Sequence, residues 1–282
     1  MPLVFVPTPL GNLRDITLRA LDLLRDAELI VAEDTRVARR LLGALDLPGR
    51  TLWSYREENA GSMTARILER ARDGVVAVTC DAGMPGISDP GSALVAAARR
   101  ESVGVVVLPG PSVPPAVALL SGFPLQRFAF EGFPPRTAGA RRKRFTEALE
   151  RGATTVWYES PQRLRAALKD LAAVAPGSQI FVVREYTKLH EEHLSGTAEE
   201  VCARLPERVR GEVAFAVAPW RVAPRPKERS AEEQIDALLR SGKRVADVAK
   251  TLAEEGFGDR RRLYARVAAR KARRDGARNE GA

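Results

Sequence analysis

The chain is poor in the residues that most often betray a metal or disulfide protein. Its 282 residues include only two cysteines and two histidines. Cys80 and Cys202 lie far apart in apolar settings and read as two reduced thiols used as small hydrophobes. His190 and His193 sit around Glu191-Glu192, but a zinc-binding H-E-x-x-H needs histidines four apart on one helix face. These are three apart without a third ligand nearby, so no metal is expected, and the stretch reads as a surface or substrate-side loop. No apolar run approaches a membrane span, and the apolar start is broken by Pro7 and Pro9 without a basic leader, so the expectation is a cytoplasmic protein with no membrane partner. Neither G-x-G-x-x-G after a strand nor G-x-x-x-x-G-K-[ST] occurs, which argues against a pyrophosphate or triphosphate cradle.

What is present begins with Thr79-Cys80-Asp81-Ala82-Gly83-Met84-Pro85-Gly86-Ile87-Ser88-Asp89-Pro90-Gly91, directly after the apolar run 75–78. A β-branched run ending in a carboxylate, prolines and glycines reads as a strand that delivers an acid into a rigid loop, with a helix starting near Pro90. Ligands of open α/β sheets bind at the carboxyl ends of strands, where Asp81 could accept hydrogen bonds from ribose hydroxyls; the plainer alternative is a demanding turn with Asp81 as a helix cap. Two more strands end the same way: 3–6 into Pro7-Thr8-Pro9-Leu10-Gly11-Asn12, and 103–108 into Pro109-Gly110-Pro111-Ser112. Three such loops can hold main-chain groups around a flat ligand. With no phosphate motif, a phosphate-free nucleoside fits better, and S-adenosylmethionine is one.

The coarse pattern is α/β throughout the first two of three parts. Over 1–120, strands at 3–6, 29–32, 75–79 and 103–108 alternate with helical patterns at 17–26, 36–45, 62–73 and 91–100, which predicts a largely parallel sheet. Over 121–224, strands at 128–130, 154–158, 179–184 and 212–218 are interspersed with helices near 140–151, 162–174 and 197–205. Ala223-Pro224-Arg225-Pro226-Lys227 reads as a linker. Residues 225–282 form a basic helical appendage, with one helical pattern through Val245, Val248, Ala249 and Leu252. A second runs through Leu263, Tyr264, Val267 and Ala268, across Gly256-Phe257-Gly258-Asp259. That arrangement reads either as a small packed bundle or as a helix-turn-helix that contacts RNA.

The formal charge of +9 is concentrated. Residues 260–282 hold nine basic and two acidic side chains, so most of the excess sits there, led by Arg260, Arg261 and Arg262. A second block, Arg136 and Arg141-Arg142-Lys143-Arg144, follows Gly132-Phe133-Pro134-Pro135. Two such blocks beside a nucleoside-type site suggest a polyanionic substrate.

Several segments resemble the ribosomal RNA small subunit methyltransferase I family of the tetrapyrrole-methylase superfamily: Pro7 to Leu13, Ala32-Glu33-Asp34-Thr35-Arg36, Asp81 to Gly91, Leu108 to Ser112, Glu131-Gly132-Phe133, Tyr158-Glu159-Ser160-Pro161 with Arg163, Arg184-Glu185 with Thr187-Lys188, and Arg210-Gly211-Glu212. Their order and spacing match over nearly the whole chain. The resemblance implies two α/β domains with S-adenosylmethionine between them, held by Pro9, Leu10, Gly11, Asp81, Gly83, Met84, Pro109, Gly110, Ser112, Val113 and Tyr158. It implies methyl transfer to the 2′-oxygen of a cytidine ribose in 16S RNA, in the small-subunit RNA or 30S particle, by a homodimer. Asp34 and Glu159 are the candidate bases, and Arg36, Arg163 and Lys188, with Arg141, Arg142, Arg144, Arg260, Arg261 and Arg262, the candidate substrate contacts. Cys80 and Met84 stand where the family usually has serine and threonine, Leu10 where it has isoleucine, and Tyr186 where it has leucine; Met84 lacks a hydroxyl but could pack its thioether on the ligand. The alternatives are C-methylation of a tetrapyrrole and a non-catalytic RNA-binding assembly factor. A separate basic appendage has no evident use with a macrocycle.

Overall fold

A computed structural model describes residues 2–220, 231–254 and 259–279. The chain divides into two compact units, Met1–Arg221 and Val222–Ala282.

The first unit contains two five-stranded sheets. One is built from β1 (Leu3–Phe5), β2 (Leu29–Ala32), β3 (Leu52–Ser54), β4 (Val76–Thr79) and β5 (Val105–Val107), in the order β3-β2-β4-β1-β5 with every pairing parallel. Helices α1 (Leu18–Asp26), α2 (Thr35–Ala44), α3 (Ala60–Asp73) and α4 (Gly91–Arg100) connect the strands. Leu3 and Phe5 join one core with Ile67, Leu68 and Leu94, whereas Val4 and Val6 join another with Leu24 and Leu42. Both faces are therefore covered, which explains why these strands read as unbroken apolar runs rather than alternating ones.

The second sheet is mixed. β6 (Phe128–Phe130) runs parallel to β7 (Thr154–Glu159), while β10 (Val213–Val217) is antiparallel to both β7 and β8 (Gln179–Arg184), and β9 (Glu192–Thr197) is antiparallel to β8. One face packs Trp157 and Phe215 against α6 (Ala138–Leu149), α7 (Pro161–Val174) and α8 (Ala198–Arg204) through Phe145, Leu164, Leu168 and Val201. The other face receives α5 (Val113–Leu120), whose Val117 and Ala118 pack on Val156, Ala214 and Ala216. Although α5 lies within 1–120, its core contacts belong to the second sheet. That seats the loop leading into it, Pro109–Ser112, between the sheets.

Two strands depart from the sequence reading. β3 is a three-residue edge that carries little signal. β9 takes up Glu192 and His193, which the sequence suggested were part of a loop: His193 pairs with Val183, and its Nε2 lies 2.7 Å from a Glu191 carboxylate oxygen. The second unit holds three described helices, α9 (Ala231–Arg240), α10 (Val245–Glu254) and α11 (Arg260–Asn279), around Ile235, Leu239, Val248, Leu252, Leu263 and Val267. The sequence reading anticipated the last two. The linker at 223–227 and the glycine turn at 256–258 lie outside the described residues. Among those described, no helix is long and apolar enough to cross a membrane.

Candidate active site

β4 lies at the centre of the parallel sheet, between β1 and β2, so the loops leaving these strands meet at one edge. Thr8 and Gly83 exchange main-chain hydrogen bonds of 2.9 and 3.0 Å, and the Thr8 hydroxyl donates to the Cys80 carbonyl. Gly83 has φ +80, and a Cβ there would stand 2.9 Å from Leu10 Cδ2, so both conformation and space require glycine. Further along, the Asp89 carboxylate accepts from the N–H groups of Gly86 and Gly91, at 2.8 Å each, and closes the loop on the start of α4.

The loop of the second sheet is equally close. A Cβ on Gly11 would fall 2.3 Å from Lys188 Cγ, and Lys188 is held by Glu185 and Glu212 at 3.0 and 3.1 Å. The two sheets thus enclose a cavity of about 450 Å³. The first sheet and its loops supply Leu10, Glu33, Cys80 to Met84, Ile87 to Asp89, Ser112 and Val113. From the second come Phe133, Tyr158 to Pro161, Val183, Tyr186 and Gly211 to Ala214.

Its electrostatic character is one-sided. Glu33, Asp81, Asp89, Glu159 and Glu212 line it, and among the described residues no lysine, arginine or histidine does. Burial pushes the Glu33 carboxyl above its ordinary value, and the charges of Asp81 and Asp89 add to that. Burial likewise raises Asp81, whose Oδ1 accepts the Asp34 backbone N–H at 3.2 Å. Burial raises Glu159 against the opposing pull of the Ser160 N–H and Arg163. The Cys80 thiol, donating to the carbonyls of Ala82 and Gly83, is pushed up to about 12 by burial. Cys80 is therefore a neutral wall, not a nucleophile.

Of the residues expected to hold cofactor, Leu10, Asp81, Gly83, Met84, Ser112, Val113 and Tyr158 line this cavity; Pro9, Gly11, Pro109 and Gly110 do not. Gly11 and Gly110 sit instead where the chain packs closely, as where a Cβ on Gly110 would meet Pro7 at 2.7 Å. The expected bases separate. Glu159 lines the cavity, but Asp34 does not: it caps α2, accepting from the Arg36 N–H, and is paired with the Arg36 guanidinium at 2.6 Å. Those bonds from Arg36 hold Asp34 far below the usual carboxylate range. A carboxylate so well satisfied is a poor proton acceptor.

Within the first basic block, Arg141 is withdrawn from any substrate surface, while Arg142 stays half exposed. Arg141 is buried, its Nε donating to Asp170 at 2.8 Å and its Nη1 to the Pro135 and Arg136 carbonyls. Arg142 donates to the other Asp170 oxygen, and Arg144 pairs with Glu131 while lying over the Trp157 ring at 5.8 Å. Arg163 bridges Glu159 and the Pro134 carbonyl. These guanidiniums anchor the loop that brings Phe133 to the cavity. Arg36 is exposed beside Asp34, and Arg260, Arg261 and Arg262 are exposed in the second unit. The residues that sequence reasoning missed are chiefly Glu33, Phe133, Tyr186 and Glu212. Glu33 had a usable signal, since it follows β2 directly as Asp81 follows Cys80 after β4.

A cavity between two α/β sheets, entered by loops of a central parallel strand, invites comparison with known proteins. The sequence profile of the Tetrapyrrole (Corrin/Porphyrin) Methylases matches residues 2–202. The chain belongs to this family. The methylase is 38% identical over 262 residues to the "Ribosomal RNA small subunit methyltransferase I" of Mycobacterium tuberculosis, covering 91% of each chain. It is 41% identical over 208 residues to that of Thermotoga maritima, covering 73% of this chain and 92% of the other. Among solved structures, the methylase fold resembles a diphthine synthase, with TM-score 0.60 and 18% identity over 77% of this chain and 90% of that one. It also resembles the uroporphyrin-III C-methyltransferase of Thermus thermophilus complexed with S-adenyl homocysteine, with TM-score 0.54 and 22% identity over 77% and 97% of the two chains.

Proposed function

We propose that this methylase transfers the methyl group of S-adenosylmethionine to the 2′-oxygen of a cytidine ribose in 16S small-subunit ribosomal RNA. The observation that carries the cofactor assignment is the lining: five acidic residues, no cation among the described residues and an apolar remainder formed by Leu10, Met84, Val113, Phe133 and Val183. Such a surface repels phosphates and suits a nucleoside that bears a positive charge. Bound there, S-adenosylmethionine supplies an electrophilic methyl on a cationic sulfur. Asp81, desolvated at the end of β4, accepts from the ribose hydroxyls, while Leu10, Met84 and Val113 pack on the flat and apolar parts. Pro9, Gly11, Pro109 and Gly110 keep the cradle in shape.

On the substrate side, Glu159 is the better placed base. Glu159 is a lining residue whose carboxyl is raised by burial; its side chain is fully buried and accepts from the Ser160 N–H and Arg163, so it takes the proton of an attacking hydroxyl only when the Arg163 bond opens. Arg163 and Lys188 position Glu159 and the Glu185–Glu212 pair. The relatives' printed names support ribosomal RNA as the substrate, and the exposed Arg260, Arg261 and Arg262 support a role for the second unit in holding it. The family resemblance further supports a cytoplasmic homodimer, in keeping with apolar Val107, Leu119 and Phe128 left exposed on the first unit. Sedimentation measures the oligomer.

The deciding experiment is incubation with methyl-labelled S-adenosylmethionine and, in separate arms, 30S particles, naked 16S RNA and a uroporphyrinogen. We expect label on RNA, with one phosphodiester protected from alkaline cleavage because a methylated 2′-oxygen cannot attack the neighbouring phosphorus. Label on the macrocycle alone overturns the assignment. Binding of RNA and cofactor with no transfer in any arm would identify an assembly factor instead.

A further inference from the structure

α11 opens with Arg260, Arg261 and Arg262 and has no acidic residue in its first turn. Cations at a helix N-terminus oppose the macrodipole and repel one another. Stability alone would favour carboxylates there. Local compensation among the described residues comes from Asp259, whose Oδ1 accepts the backbone N–H groups of Arg261 and Arg262 at 3.0 and 3.2 Å. Among the described residues, no carboxylate pairs with the side chain of Arg260, Arg261, Arg262 or Lys271, although Arg266 and Arg270 on the same helix pair with Glu232 and Asp236. Arg266 and Arg270 are thus satisfied, Arg262 lies one turn from Arg266 on the same face, and Arg260, Arg261 and Lys271 meet no described carboxylate.

The side of Arg260, Arg261 and Lys271 carries an aromatic ring. Leu263 and Val267 are buried against α9 and α10, whereas Tyr264, the next position round from Leu263, is 51% exposed. Residues three and four apart are neighbours on a helix, so Tyr264 shares its face with Arg260 and Arg261, and one further turn pair brings Lys271 to the same stripe. Ala268, between Tyr264 and Lys271 on that stripe, is a small side chain. Solubility would be served by a polar residue at this position.

We propose that the Arg260–Arg261–Tyr264–Lys271 face of α11 binds a single-stranded RNA segment, with the Tyr264 ring stacked on a base and the three cations on flanking phosphates. This rests on the RNA methyltransferase reading and assigns the second unit its part in it. Charge complementarity selects a polyanion. The ring selects a single strand, since the bases of a duplex are already stacked on one another and offer no free face, whereas unpaired bases stack readily on aromatic side chains.

The test is fluorescence anisotropy on the full chain, with a labelled single-stranded oligoribonucleotide and a hairpin of the same composition. We expect the single strand to bind tighter. Tyr264→Ala should weaken it by about 5- to 100-fold without changing the slope of log affinity against log salt, and Tyr264→Phe should restore binding. Arg260→Gln, Arg261→Gln and Lys271→Gln should each reduce the salt slope by about 0.7. Tyr264→Leu keeps the apolar bulk on the helix but removes the π face, so weak binding by this variant with an unaltered helical circular-dichroism signal assigns the loss to stacking. Wild-type affinity in Tyr264→Ala or Tyr264→Leu, or equal affinity for the hairpin, overturns the proposal. Methyl transfer to 30S particles is run in parallel: its absence in the wild type sinks the RNA methyltransferase reading itself, whereas intact transfer with an indifferent Tyr264 sinks only the stacking face.

Discussion

The two arginine-rich helices look alike in sequence and differ in what their charges do. On α6, Arg141 and Arg142 converge on Asp170, and Arg144 reaches Glu131. At the start of α11, the side chains of Arg260, Arg261 and Arg262 meet no described carboxylate. The first group holds a loop against the second sheet; the second group presents positive charge to solvent. A run of arginines is thus a statement about composition, and the carboxylates that answer it decide whether it is a clamp or a docking surface.

The sharpest way to break this comparison is to remove one partner of the clamp. Arg141 and Asp170 are both nearly buried; loss of Asp170 leaves Arg141 as an uncompensated interior charge, and loss of Arg141 leaves Asp170 with Arg142 as its one cation among the described residues. Asp170→Ala or Arg141→Met should lower stability by about 3–5 kcal/mol in denaturant titration. The double variant should recover part of that loss. Burial pushes the Asp170 carboxyl up, but hydrogen bonds and charge from Arg142 and Arg141 outweigh it and hold the group below its ordinary value. Its contribution is therefore present above the ordinary carboxylate range and lost as pH falls through the lowered value. Wild-type pH dependence in Asp170→Asn would contradict this.

The cavity is a third charge environment, acidic and without a lining cation among the described residues. Asp81→Ala should reduce S-adenosylmethionine affinity by roughly 10- to 100-fold in calorimetry, as expected for losing hydrogen bonds to a charged group worth about 1.5–3 kcal/mol. A smaller effect follows from the raised pKa values of Glu33 and Asp81. Acidification protonates these groups above the usual carboxylate range, so the preference for the sulfonium cofactor over its neutral demethylated product should fall as pH falls. A ratio independent of pH would show that the acids do not sense the sulfonium charge.

Much of this architecture was legible because its physics is local. β1, β2 and β4 are covered on both faces and so read as continuous apolar runs, and Asp81 stands out as a carboxylate at the end of one. β9 did not, because Glu192-His193-Leu194-Ser195-Gly196-Thr197 is a mainly polar edge whose one apolar residue is Leu194. α5 was hidden behind Pro114 and Pro115, which start a helix well but resemble loop punctuation. Choosing Asp34 over Glu33 depended on where α2 begins: a start at Thr35 makes Asp34 the cap and leaves Glu33 to the cavity. The fate of the α6 arginines was illegible in principle. Arg141 meets Asp170 29 residues away, a pairing that no local pattern encodes.

The finest test of the comparison concerns stability at α11, where the expected change is small and opposite in sign. Replacing Arg260, Arg261 and Arg262 together by glutamine removes three cations from the positive end of the helix dipole without breaking an ion pair among the described residues. Stability should stay level or rise by up to about 1 kcal/mol, in contrast to the loss at α6. Cofactor affinity should be untouched, because none of the three lines the cavity. RNA binding should weaken, and its salt slope should flatten by up to about three phosphate contacts. A loss of stability comparable to that of Arg141→Met would mean that these guanidiniums are a packing device after all, and the distinction between clamp and docking surface would fail at its more exposed end.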